Sequence, residues 1–271
     1  MTATDESDMR GGKYTAPALS KGLDILELLA SDAEGMRKSD IAKSLDRSIS
    51  EIFRMLAVLT ERGYVSFETA TERYALTTKL FEIAHRHPPI RRLSSVAIET
   101  MRKLALKVNQ SIHLAIQHGH DVLIIAQVDA PGNNVTSVRL GARVPMLQTA
   151  SGAILFGALS DGEREEFLER AGNGEPEILE FFLNNVEAFT RLGYCECPSA
   201  VIEGVHNVSV PLRDYSGAII AVLTIPFINR LRTPHFVSRE DTRILLVDAG
   251  REVSALLGSN ASAGSLSSIH L

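Results

Sequence analysis

From residue 18 to residue 60 the apolar positions recur with the period of a helix, and beyond residue 63 they alternate as in a strand. The stretch from Ala18 to Leu29, "ALSKGLDILELL", sets Leu19, Leu23, Ile25, Leu26 and Leu29 largely along one face of an amphipathic helix. After the turn "SDAEGM", a shorter helix from Ser39 to Leu45 is predicted, with Ile41, Ala42 and Leu45 as its apolar patch. A third starts near Ser48, where Ile52, Met55, Leu56 and Leu59 follow i, i+3, i+4, i+7 and leave Arg47, Ser50, Glu51 and Arg54 on other faces. Then "ERGYVSFETATERYALTT" changes period. It predicts strands at Tyr64 to Phe67 and Arg73 to Leu76 joined by a polar turn. Three helices and a hairpin make a winged helix-turn-helix; a small helical subdomain with no nucleic-acid role is the alternative.

The stretch "HRHPPIRR" at His85 to Arg92 stops a helix with two prolines and marks a domain boundary. Beyond it a helix is predicted from Leu93 to Lys107. The stretch "SIHLAIQHGHDVLIIAQVD" then reads as a hairpin, Ile112, Leu114 and Ile116 alternating with polar residues before a more apolar strand from Val122 to Val128. A small-residue helix begins at about Ser151, and further helices span Gly162 to Arg170 and Glu177 to Leu192. A second hairpin turns at "RDYSG", and Arg239 to Leu257 closes the domain as an amphipathic helix. This half reads as an α+β domain with an antiparallel sheet covered by helices. The predicted boundaries are a disordered arm at 1–14, a DNA-binding winged helix at 15–87, an effector-binding domain at 88–258 and a disordered tail at 259–271.

Composition narrows the options. The chain of 271 residues is 45% hydrophobic and 23% charged, ordinary globular material, and its net charge of −5 confines any nucleic-acid binding to a local patch. No apolar run reaches the length of a membrane span and the N-terminus lacks the apolar core of a signal peptide, so a cytoplasmic protein is expected. Cys195 and Cys197 stand too close for an unstrained bridge and fit reduced thiols. The "CEC" stretch with His206 invites a metal, but it lacks a convincing fourth ligand. His113, His118 and His120 read as ordinary strand and turn residues. No metal or cofactor is expected.

The stretches "ALSKGLDILELLA", "IAKSL…ISEIFRMLAVLTERGYV", "ERYALTTKL", "LGARVPMLQTASGAIL" and "EGVHNVSVPLRDYSGAIIAVLTI" together resemble the IclR family of bacterial transcriptional regulators. The resemblance runs from about Ala16 to Leu257. It implies a winged helix-turn-helix that reads a palindromic operator, and a GAF-like or profilin-like domain that binds a small effector. It also implies a homodimer or homotetramer, since a two-fold protein matches two half-sites one helical turn apart.

Ser50 and Arg54 fall where the family's recognition helix carries serine and arginine, with Phe53 between them. A hydroxyl and a guanidinium donate to phosphate, the arginine alternatively to guanine, and Phe53 meets a thymine methyl or packs on the first helix. Lys38, Lys43 and Arg73 are candidate phosphate contacts, with a solvated surface as the alternative for each. From Arg37 to Arg62, basic Arg37, Lys38, Lys43, Arg47, Arg54 and Arg62 face acidic Asp40, Asp46, Glu51 and Glu61, a small local excess. Affinity for double-stranded DNA is thus expected to rest on symmetry and shape as well as charge, and to fall with salt. Glu51 replaces the family's usual threonine. Either its carboxylate accepts from a cytosine, or Ser48 and Glu51 form the S-x-x-E of a capping box, and the spacing favours the box.

By position in the family, Val144, Ala150, Ser151, Cys197, Val205, Asn207, Thr224 and Pro226 face the effector. Ala150, Ser151 and Gly152 open a helix whose unpaired N–H groups suit a carboxylate or carbonyl oxygen. Cys197 stands where an acidic residue is common and Pro226 where a small hydroxyl residue often lies. A short organic acid or semialdehyde is favoured over an aromatic effector. The expected function is a ligand-responsive repressor of a catabolic operon, with an activator as the alternative. A small-molecule enzyme on a GAF-like domain is disfavoured, because no P-loop, G-x-G-x-x-G, G-x-S-x-G or H-E-x-x-H occurs. Effector binding is expected to act through a hinge near Pro88 and Pro89.

Overall fold

A computed structural model describes residues 16–86, 88–132, 136–172, 174–229 and 237–259. The arm expected at 1–14 lies outside the described residues, as does the expected tail beyond Ser259. The chain divides into two compact units, Met1–His87 and Pro88–Leu271.

In the first unit α1 (Pro17–Leu29), α2 (Lys38–Ser44) and α3 (Ile49–Glu61) are followed by β2 (Val65–Glu68), β3 (Arg73–Leu76) and α4 (Lys79–Arg86). A two-residue strand, β1 (Met36–Arg37), joins the wing along β3, giving the order β1-β3-β2. Ile25, Leu29, Ile41, Ile52, Leu56 and Val65 form the core. Leu19 and Leu23, expected on the buried face, are 64% and 48% exposed. The buried part of α1 is narrower than its apolar stripe and centres on Ile25 and Leu29. Local signals set the turn between α2 and α3. Asp46 takes φ 50°, the Arg47 N–H reaches the Ala42 carbonyl at 3.0 Å and the Asp46 N–H the Lys43 carbonyl at 3.3 Å, a double closure of the helix end that aspartate tolerates.

In the second unit α5 begins at Pro88 and runs to Val108, five residues earlier than Leu93, because proline is compatible with a first helical turn. Six antiparallel strands follow the order β6-β5-β4-β9-β8-β7: β4 (Ile112–His118), β5 (Asp121–Val128), β6 (Arg143–Pro145), β7 (Cys195–Pro198), β8 (Val205–Arg213) and β9 (Ile219–Ile228). One face packs through Leu114, Val210 and Leu223 into the core shared with α5 and with α9 (Arg239–Leu256). The other packs through Ala115, Val122, Cys195 and Val222 into a second core shared with α6 (Ala150–Phe156), α7 (Asp161–Gly172) and α8 (Pro176–Leu192). The alternation at β4 therefore does not mean one wet face, and His113 is buried. Among the described residues no helix is long and apolar enough to cross a membrane.

Candidate nucleic-acid interface and effector face

Helix α3 begins with a complete capping box. The Ser48 hydroxyl accepts from the Glu51 N–H at 3.3 Å, while Glu51 Oε2 accepts from the Ser48 N–H at 3.1 Å and from the Ser48 hydroxyl at 2.7 Å. The other oxygen, Oε1, lies 2.6 Å from Lys21 Nζ on α1. The Lys21 and Ser48 hydrogen bonds favour the charged carboxylate and lower its pKa to about 2. Both oxygens are thus engaged inside the protein, Oε2 by two donors and Oε1 by one, which leaves at most the second lone pair of Oε1 for a cytosine amine. Sequence reasoning missed Lys21. Its signal is faint: Lys21 precedes Ile25 by one turn on the same face, at the end of the buried stripe that meets α3.

Ile52 and Leu56 are buried, whereas Ser50 and Arg54 are exposed and Phe53 is 52% exposed. Phe53 does not bury itself against α1; the Lys38 ammonium lies over its ring, 4.9 Å from the centroid. Lys43 on α2 and Arg47 in the turn are exposed. Arg73 differs. It is half-buried, and one arm of its guanidinium donates to the Gly35 carbonyl, tying the wing to the turn before β1.

On the second unit, strand register groups part of the expected effector set. Cys197, Asn207 and Pro226 are cross-strand neighbours, and Thr224 follows Pro226 one pleat along on the same side. Val205 lies on that side too, buried at the start of β8. Ala150 and Ser151 are buried at the start of α6. Val144 sits on β6, the edge strand opposite β7. Gly152 is required where it is, because a Cβ there would lie 2.1 Å from the Met146 carbonyl oxygen of the preceding turn. The anion-binding helix start expected from sequence is curtailed: α6 has seven residues, and the Thr149 hydroxyl already accepts from the Gly152 N–H at 3.0 Å.

One row deeper, register aligns Cys195, Ser209, Thr224 and His113 across β7, β8, β9 and β4. Ser209 and Thr224 share a hydroxyl–hydroxyl bond of 2.8 Å, both fully buried. Cys195 Sγ contacts Asn185 Oδ1 of α8 at 3.7 Å. Its thiol is pushed well above the usual range by its hydrogen bond to Cys197 and by burial. His113 is 5% exposed and its Nδ1 has no hydrogen-bond partner; burial lowers its pKa to about 4, so it is neutral near pH 7. His206 pairs with Pro198, one residue out of step with Cys195 and Cys197, and so points to the other side of the sheet. The "CEC" and His206 groups do not converge on one ion. Sequence reasoning passed over His113 and Ser209, because burial on the second face depends on distant α6 and α8.

Comparisons with known proteins agree with both halves. The IclR helix-turn-helix domain matches residues 18–68, and the bacterial transcriptional regulator IclR C-terminal domain matches residues 90–255. The HTH-type transcriptional repressor AllR of Escherichia coli K12 is 26% identical over 252 residues, covering 91% of this chain and 92% of that protein. Two solved structures share the fold. An IclR homolog from Microbacterium hydrocarbonoxydans, complexed with 4-hydroxybenzoate, has a TM-score of 0.74 at 22% identity over 89% of this chain and 98% of its own. The IclR of Thermotoga maritima has a TM-score of 0.68 at 23% identity, with 89% and 98% covered. With more than half of its length matched by the C-terminal domain alone, the chain belongs to the IclR family of bacterial transcriptional regulators.

Proposed function

We propose that the chain is a cytoplasmic, ligand-controlled repressor that binds a palindromic operator as a homodimer or homotetramer. Residues 15–87 bind DNA and 88–258 bind a small organic acid or semialdehyde. The observation that carries this reading is the division of α3, whose Ile52 and Leu56 are buried while Ser50, Phe53 and Arg54 face outward from a capped start. A helix so held offers its first turns to a major groove. Ser50 and Arg54 reach phosphate or guanine, Phe53 with Lys38 stacked on it meets a thymine methyl, and Lys43 and Arg47 meet flanking phosphates. Glu51 acts by holding the helix start, and Arg73 contributes with the donors that Gly35 leaves it. In the second unit, Asn207 and Thr224 stand as neutral polar groups among Ala150, Ser151, Cys197, Val205 and Pro226, with Val144 at the far margin, a setting for a small polar effector. The family reading assigns the domain no catalytic residue.

The test is an electrophoretic shift with DNA from upstream of the gene, repeated with short organic acids and with aromatic acids. Arg54→Ala is expected to weaken binding about tenfold or more, and Arg73→Ala considerably less. Loss of the shift on adding a short acid supports repression relieved by that class. Absence of any shift, or turnover of the added acid, overturns the proposal.

A further inference from the structure

Among the described residues, the buried polar atoms without a partner include one imidazole nitrogen on the effector face, His113 Nδ1. The histidine is 5% exposed and aligned in register with Thr224 of the neighbouring strand. Its side of β4 is set by its neighbours: Ile112 and Leu114 enter the core shared with α5 and α9, whereas Ala115 enters the one beneath α6. His113 therefore points beneath α6, beside the Ser209–Thr224 hydroxyl pair. A buried polar group left unpaired costs free energy, and native proteins rarely tolerate one without a role. Two hydroxyls bonded to each other use one of their two protons, so this pair also retains a donor.

We propose that His113, Ser209 and Thr224 form the polar end of the effector site and bind a hydroxyl group of the ligand. The hydroxyl accepts from the free proton of the Ser209–Thr224 pair and exchanges a hydrogen bond with His113 Nδ1. A hydroxyl suits a neutral imidazole in either tautomer, because it both donates and accepts; a bare carboxylate only accepts and leaves an unprotonated Nδ1 unpaired. The chemical class is thus a small hydroxylated molecule, such as a hydroxy acid or the hydrate of a semialdehyde. This deepens the effector reading and rests on it.

The test uses the full chain and matched probes, glycolate against acetate and lactate against propionate, with glycerol as a neutral hydroxyl compound, binding being followed by calorimetry. The hydroxylated member of each pair is expected to bind about tenfold to a hundredfold more tightly. That preference should vanish in His113→Leu and survive in His113→Asn, whose amide both donates and accepts. Should either variant fail to fold, nitrogen NMR of the wild-type imidazole decides: a shift of the His113 Nδ1 resonance on adding glycolate supports the site, and an unmoved resonance overturns it. Equal binding of both members of each pair overturns the hydroxyl site and leaves the acid effector standing. Binding of glycerol alone, with the same dependence on His113, removes the acid reading and keeps the site. No binding by any probe overturns both.

Discussion

Glu51 in the first unit and His113 in the second both have pKa values below their usual ranges, for opposite reasons. Glu51 is accessible, yet each of its oxygens is engaged, by Lys21 on one side and Ser48 on the other, so the charged form is favoured. His113 is sealed between two helical layers with Nδ1 unpaired, so the charged form is penalised. A group whose partners all lie within the fold is explained by the fold. A group buried without a partner calls for one from outside. The contrast places Glu51 with the architecture, as the Ser48–Glu51 spacing indicated, and supports the proposal that His113 meets a ligand.

The largest expected effect comes from acid. The folded His113 pKa of about 4 lies below the ordinary 6.5, so an unfolded chain takes up a proton that the folded one refuses. The stability of the second unit should be full above about pH 6.5, fall as pH drops, and stop falling below about pH 4. The loss is on the order of 3 kcal/mol. Denaturant unfolding of the full chain at about pH 7 and about pH 5 should show about 2 kcal/mol of it. His113→Asn should remove most of the slope. If wild type and variant fall in parallel, His113 is not a buried neutral group and the contrast with Glu51 collapses. Glu51 has its own window: its contribution is complete above about 4.5 and disappears as pH falls toward about 2, so the two meet only in the narrow range between about 4 and 4.5.

A smaller effect separates a satisfied buried pair from an unsatisfied atom. Ser209→Ala strands the Thr224 hydroxyl, and Thr224→Val strands that of Ser209; each should cost about 1–3 kcal/mol. The double substitution should cost less than the two singles combined, since replacing both partners removes the unpaired group. Strict additivity in denaturant melts would mean that the two hydroxyls do not depend on each other.

How much of this was legible depends on the range of the signal. In "DRSISEIFRML" the cap at Ser48, the return of Glu51, the left-handed Asp46 and the buried Ile52 and Leu56 are all set within four residues, and the capping box stands as the spacing indicated. The antiparallel sheet and its hairpins at "HGHD" and "RDYSG" were legible for the same reason. The remainder needed the tertiary fold. Lys21 meets Glu51 across thirty positions, Arg73 meets Gly35 across thirty-eight, and β1 exists only because β3 pairs with it. Whether the polar side of β4 is wet or dry is decided by α6 and α8, whose packing no local pattern at Ile112–His118 reveals.

The smallest effect is the most informative about the reading helix. Ser48→Ala removes the hydroxyl that caps α3 and should cost the first unit about 1 kcal/mol. Glu51→Gln keeps an oxygen for the Ser48 N–H but turns its NH2 toward Lys21, giving up both the hydrogen bond and the ion pair at a partly exposed site, so it should cost no more than about 1 kcal/mol. Neither change touches Ser50 or Arg54, so a binding-site selection with Glu51→Gln should recover the wild-type operator. A changed base preference would mean that the carboxylate meets DNA, beside Lys21 and Ser48 or in place of them. In that case an engaged group had been kept for recognition, and partner counting would no longer separate architecture from function at this helix.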